Sequence, residues 1–139
     1  MGTTIRPELS ENNKYWIDRH RYYELKHFCL QYLTWKRTLQ TMDGLNRTSR
    51  DLNYHIGSNT HTDPTAKEAE ARLFYTERIK MIEQLVEETD SELANYILKG
   101  VTEAASYEYL KNTLGIPCSR DTYYDRYRKF FWLLDKTRK

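Results

Sequence analysis

A short segment near the carboxyl end of the chain constrains the fold more than any other. Ser106 predicts the start of a helix, because its hydroxyl can accept hydrogen bonds from the free amides of a first turn. Leu110 and Leu114 follow one turn apart on a single face. Gly115 comes directly after the last periodic position, where it can adopt a left-handed backbone and end the helix. Ser119 predicts the start of a second helix. The segment is therefore typical of two helices joined by a tight turn.

The second helix of this pair carries apolar residues at intervals of three and four. This stripe, which we expect to face inward, consists of Tyr123, Tyr127, Phe130 and Leu134. We also expect Leu110 and Leu114 to be buried against the first two tyrosines of the stripe. That packing would set the two helices at a steep angle to each other.

At these residues the chain resembles the helix-turn-helix unit of sigma-factor region 4 and of small phage late-gene transcriptional activators. The shared pattern is small-Ser-aromatic-x-x-Leu, then Leu-Gly-Ile, then a capped Arg-x-Thr-aromatic-aromatic helix followed by basic residues. It covers about the last third of the chain. Lys111 stands where such units usually have a small Ala, and Pro117 and Cys118 lengthen the turn. The resemblance implies a DNA-binding transcriptional regulator from a phage or prophage.

Upstream of this segment, the sequence predicts two long amphipathic helices. The first spans residues 14–43 as a continuous rod, with an inward stripe of Tyr22, Leu25, Cys29, Tyr32, Leu39 and Met42. The second spans residues 64–89, capped by Asp63, with Tyr75, Ile79, Ile82 and Val86 inward. Two such helices most economically bury each other, so we expect a long antiparallel helical hairpin.

These elements predict an all-α protein in three parts. Residues 1–13 form a flexible arm, residues 14–89 form the hairpin with a long loop at 44–62, and residues 90–139 form a helix-turn-helix unit of three helices. The first of these three helices is expected to start at a capping box made by Thr89 and Glu92. The 5 Gly and 3 Pro in 139 residues also favour helices over many short strands.

Motifs for catalysis and for cofactor or metal binding are missing from the sequence, so we expect a protein that is not an enzyme and has no cofactor. His20 and His27 are expected to be a polar flank of the first helix, and His55 and His61 have no metal-ligand spacing. Cys29 and Cys118 are expected to be reduced thiols. No apolar run could cross a bilayer, and we expect a location in the cytoplasm of the bacterial host cell.

Double-stranded DNA is the partner that the charge pattern favours, because the last 35 residues carry eight Lys and Arg against four Asp and Glu. In a recognition helix, the residues that point away from the inward stripe can read base edges in the major groove. The basic residues behind them can contact phosphates. The predicted base contacts are Arg120, Asp121, Tyr124, Asp125 and Arg128, and the predicted phosphate contacts are Lys129, Lys136, Arg138 and Lys139.

Two other functions fit the same helices. The protein could be a phage-encoded inhibitor of a host protein or ribonucleoprotein, of the anti-CRISPR type, since aromatic and Arg side chains also supply the anchors of protein interfaces. The partner-binding residues would then be Tyr22, Tyr23, Trp35, Arg37, Arg126 and Trp132. The third function is a small DNA-packaging subunit, which predicts a large oligomer. A homodimer through the helical hairpin is a further option.

Overall fold

A computed structural model describes residues 13–43 and 64–138. Within these residues every regular element is an α-helix, so the predicted all-α class is confirmed. The six helices are α1 (Arg19–Leu30), α2 (32–43), α3 (Pro64–Thr89), α4 (Ala94–Glu103), α5 (Tyr107–Asn112) and α6 (Arg120–Thr137). The chain forms two compact units, one from Met1–Gln31 with Met81–Lys139 and one from Tyr32–Lys80.

The first predicted helix, 14–43, is two helices in the structure. Asn13 makes a turn before α1, with its side chain accepting from the amide of Tyr15 at 2.9 Å. The carboxylate of Asp18 accepts from the amide of His20 at 3.1 Å and so caps α1. At Gln31 the backbone N–H donates to the carbonyl of Phe28, three residues earlier, at 3.3 Å. This is the hydrogen bond of a 3₁₀ turn, which is wound more tightly than an α-helical turn. The expected continuous rod is therefore wrong at both its start and its middle.

The unit formed by Tyr32–Lys80 contains α2 and most of α3. Tyr32 and Trp35 of α2 are buried. The guanidinium of Arg72 on α3 pairs with the carboxylate of Asp43 on α2, and with Glu68 one turn away at 3.8 Å. The predicted loop at 44–62, the cap Asp63 and residues 1–12 of the predicted arm lie outside the described residues.

The other unit is organised around α6, which packs against α1 and α4. The hydroxyls of Tyr22 on α1 and Tyr127 on α6 share a hydrogen bond of 2.8 Å. The ring of Tyr22 also meets Phe131 edge-on at 5.2 Å between ring centroids. At the far end of α6, the Nε of Arg21 donates to Asp135 at 2.6 Å. Because of these contacts α1 belongs to the same unit as α4 and α6, whereas the sequence predicted it as part of the hairpin at residues 14–89.

The connection between α3 and α4 also differs from its prediction. Thr89 is the last residue of α3, and its hydroxyl donates back to the carbonyl of Leu85 at 2.7 Å. The side chain of Asp90 accepts instead, from the amides of Glu92 at 3.0 Å and Leu93 at 3.2 Å. The expected capping box of Thr89 and Glu92 is therefore wrong, and Asp90 holds the turn that leads into α4.

Candidate nucleic-acid interface

The cap at the amino end of α5 and the left-handed glycine after the helix are as the sequence predicts. The side chain of Ser106 accepts from the amide of Tyr109 at 3.2 Å and caps α5. Gly115 has a φ of 70°, and its N–H bonds to the carbonyl of Lys111 at 3.1 Å. This bond ties the residue in left-handed conformation to the last turn of the helix. The roles predicted for Ser106 and Gly115 are confirmed.

Leu114 does not occupy the buried position that its spacing predicts. Leu110 is fully buried, but Leu114 keeps 36% of its surface exposed. The reason is that α5 ends at Asn112, so Leu114 lies in the turn where the helical period no longer applies. Ile116, just past Gly115, is buried in its place.

Two further bonds fix the start of α6. The hydroxyl of Tyr107 donates to the carbonyl of Cys118 at 2.5 Å, which anchors the turn to the beginning of α5. The side chain of Ser119 accepts from the amide of Thr122 at 3.2 Å and caps α6, as the sequence predicts. The first turn of α6 is therefore held firmly while Arg120 and Asp121 stay exposed.

The inner side of α6 is aromatic and includes one residue that we expected outside. Tyr124 is buried to 9% exposure, so the prediction that it points away from the core is wrong. Its ring packs against Tyr123 at 5.0 Å and Tyr127 at 6.3 Å between centroids, and lies 6.5 Å from Tyr107 on α5. Tyr107 also lies 6.0 Å from Tyr123 between centroids, and Gly100 of α4 approaches the Tyr123 hydroxyl. Neighbours on α5 and α4 thus enclose two adjacent tyrosines in the core.

On the outer side of α6 the predicted base-contacting residues are partly engaged within the chain. Arg120 pairs with Glu108 on α5, and its guanidinium lies 5.3 Å from the ring centroid of Tyr124. Asp125 pairs with its neighbour Arg126 at 2.5 Å. Among the described residues Arg128 has no ion-pair partner, although it is half-buried. Arg128 is thus the arginine of this side with the greatest freedom to meet a ligand.

The predicted phosphate contacts at the carboxyl end of α6 also meet groups of the same chain. The ammonium of Lys129 donates to the carbonyl of Thr89 at 3.2 Å, where it satisfies the end of α3. Lys136 lies over the ring of Trp132 at 3.4 Å, and the guanidinium of Arg138 lies over Phe28 at 3.8 Å. Lys139 lies outside the described residues. Of these cations Lys136 is the most exposed.

The residues proposed for a protein interface do not form one exposed surface. Tyr22 and Trp35 are buried, so their assignment as surface anchors is wrong. Arg126 donates to Asp90 at 3.0 Å, and this hydrogen bond raises the pKa of its guanidinium. Trp132 is half-buried and packs edge-on against Tyr15 at 5.4 Å. Of the remaining two residues, Tyr23 is half-buried and Arg37 is exposed.

Two exposed residues of α5 were missing from the predicted site. Lys111 is exposed at the last turn of α5 and has no ion-pair partner among the described residues. Tyr109 keeps 45% of its surface exposed. The two positions flank the buried Leu110 at about 100° on either side of it around α5, so the helical period already indicated that neither shares its buried face. They extend the exposed polar surface around the turn.

Two titratable side chains of the core have their neutral forms favoured by burial. Burial raises the pKa of the Cys29 thiol and of the Tyr127 hydroxyl. The described residues contain no group of three or more His, Cys, Asp or Glu side chains that could hold a metal ion. In the same part of the chain, no helix has the length and apolar character needed to cross a membrane.

Comparisons of the chain with protein-family models, with curated proteins and with solved structures found no match.

Proposed function

We propose that the chain binds double-stranded DNA through the amino end of α6 and acts as a transcriptional regulator of phage origin in the bacterial cytoplasm. The observation that carries this proposal is the exposed and capped first turn of α6 on a helix whose opposite side is buried in the core. A rigid helix with an exposed amino end suits the major groove, which admits an α-helix with its first turns against base edges. The helix dipole also favours phosphates at this end.

Arg128 is the residue to which we assign direct base contact. An arginine can donate two hydrogen bonds to guanine, and Arg128 has no carboxylate of the described chain to compete for them. Arg120 must first leave Glu108, so its contribution is smaller. Asp121 and Asp125 lie on the same side and disfavour phosphates, which limits the affinity for duplexes of arbitrary sequence.

Phosphate contacts fall to the cations that remain exposed. Lys111 at the end of α5 and Lys136 near the end of α6 meet this condition. Lys129 binds the carbonyl of Thr89, and Arg138 lies over the ring of Phe28. These contacts compete with a phosphate for the two side chains. We therefore assign them a stabilising role in the fold.

The test is fluorescence anisotropy with duplex DNA selected from a random pool, at two salt concentrations. Arg128→Ala should weaken the selected duplex by about 1 to 3 kcal/mol and relax its sequence preference. Lys136→Ala should weaken all duplexes alike and lower the salt slope by roughly one. The matched control is Arg37→Ala, which removes an exposed arginine of α2 and should change neither quantity.

A parent protein that ignores DNA at low salt overturns this proposal. The inhibitor of a host protein then becomes the function to pursue, and its binding should depend on the exposed surface of Trp132 and resist moderate salt. A mass corresponding to a large ring in light scattering would instead favour the packaging subunit.

A further inference from the structure

In the unit formed by Tyr32–Lys80, α3 carries two adjacent large apolar side chains on its surface. Leu73 is 58% exposed and Phe74 is 46% exposed, and both lie on α3. One and a half turns later, Ile79 of the same helix is buried to 7% exposure. Adjacent exposed leucine and phenylalanine side chains leave apolar surface in water, which another surface can cover with a gain in free energy.

Two charged residues flank this apolar pair one turn away on either side. Glu70 precedes Phe74 by four residues, and Arg78 follows it by four, so all three lie along one side of α3. The guanidinium of Arg78 lies over the ring of Phe74 at 3.4 Å, and its Nη1 donates to the carbonyl of Phe74 at 3.1 Å. Within the described residues neither Glu70 nor Arg78 has an ion-pair partner, whereas Arg72 on the same helix has two.

We propose that this face of α3 binds a second copy of the chain, with the two α3 helices antiparallel and related by a twofold axis at Phe74. In that register Glu70 of each copy lies opposite Arg78 of the other, and the two Phe74 rings meet at the axis. The face is therefore complementary to itself in charge and in apolar character, which is the property that a twofold interface requires.

Other arrangements of the same two helices are less favourable. A parallel twofold pair puts Glu70 against Glu70. An antiparallel pair centred between Leu73 and Phe74 puts Glu70 against Glu77. Like charges in direct opposition destabilise a helix pair, so the register centred on Phe74 is favoured over both of these arrangements.

The first test is the mass of the full chain in sedimentation equilibrium. We expect twice the chain mass of 16.8 kDa. Glu70→Arg and Arg78→Glu should each weaken the dimer by roughly tenfold, because each substitution places like charges opposite each other at two symmetric points. The double exchange, which combines both substitutions in one chain, should restore the dimer. A monomer at about 100 μM, a higher oligomer, or a double exchange that is no better than the single ones overturns the proposal.

The second test reports the register. Helix axes pack roughly 8 to 10 Å apart, which brings residues at the twofold axis within reach of a disulfide. Phe74→Cys should form a disulfide-linked dimer under mild oxidation. The control is Tyr109→Cys, which introduces a thiol at a position as exposed as Phe74 but on α5. Equal cross-linking at both positions, or none at residue 74, contradicts the assigned axis.

These outcomes are separate from those of the DNA measurements. A dimer that ignores DNA overturns the proposed function alone, and a monomer that binds DNA overturns the dimer alone. Circular dichroism of each variant establishes that the helices remain folded.

Discussion

The inner and outer sides of the α5–α6 segment differ in how their residues find partners. On the inner side, Tyr123, Phe130 and Leu134 are fully buried in contact with other helices of the same unit. On the outer side, the charged residues pair across elements, as Arg120 does with Glu108 and Arg126 with Asp90. The period of the helix predicts the stripe of the inner side, although Tyr124 joins it from outside that stripe. The pairing on the outer side depends on which charged groups the fold brings near.

This difference has an energetic consequence. A buried aromatic or leucine side chain contributes roughly 1.5 to 3 kcal/mol through burial, whereas an exposed ion pair contributes about 0 to 1 kcal/mol. The inner side therefore stabilises the fold. The outer side can exchange its partners at low cost, as a binding surface must.

The largest effect on stability that we expect distinguishes Leu110 from Leu114, two leucines that the helical period places on the same face. Leu110→Ala should destabilise the protein by about 2 to 5 kcal/mol, because Leu110 is fully buried and its truncation leaves a cavity in the core. Leu114→Ala should cost less than about 1 kcal/mol, since Leu114 is 36% exposed in the turn. Chemical denaturation monitored by circular dichroism measures both. Equal losses for the two variants would mean that Leu114 belongs to the inner side after all.

A smaller effect is expected where α4 and α6 approach each other most closely. A Cβ added at Gly100 would lie 1.8 Å from the Tyr123 hydroxyl oxygen, which has no hydrogen-bond partner among the described residues. Gly100→Ala should therefore destabilise the protein by about 1 to 3 kcal/mol, although alanine alone is the better helix former.

The double mutant with Tyr123→Phe sharpens this expectation. Removing the hydroxyl relieves the closest contact, so Gly100→Ala should cost less in that background than in the parent. The thermal unfolding midpoints of the four proteins in the cycle measure the coupling. Additive effects of the two substitutions would mean that the helices separate to accommodate the methyl group without involving the hydroxyl.

The buried stripes were predictable because packing repeats with the helix. Tyr22, Leu25 and Cys29 of α1 are buried, as their spacing predicts. The break at Gln31 was not predictable from the same pattern, because neither glycine nor proline marks it and the apolar period continues through Tyr32. Local spacing thus predicts which face is buried better than where a helix ends.

The charged site was harder to predict because its partners are distant in sequence. Arg126 meets Asp90 across 36 positions, and Arg21 meets Asp135 across 114. Asp125 and Arg128 are three positions apart on α6, a spacing that permits an ion pair, but in the structure Asp125 pairs with Arg126. Which arginines remain available to a ligand follows only from the tertiary fold.

The smallest expected effect tests whether the outer side exchanges its partners. Glu108→Gln removes the carboxylate that holds Arg120, and both side chains are about half exposed, so stability should change by less than about 1 kcal/mol. DNA affinity should rise by about two- to fivefold, because a negative charge is lost and a guanidinium is released toward phosphates.

Glu103→Gln is the matched control for this last substitution. Glu103 pairs with Lys99 on α4, and its replacement changes the net charge equally without releasing an arginine of α6. Anisotropy titrations of the parent and the two variants on one duplex compare them directly. A rise for Glu108→Gln alone assigns the gain to the release of Arg120. A loss of affinity would show instead that Glu108 holds Arg120 in the orientation that DNA requires, and the outer side would then be as preorganised as the inner one.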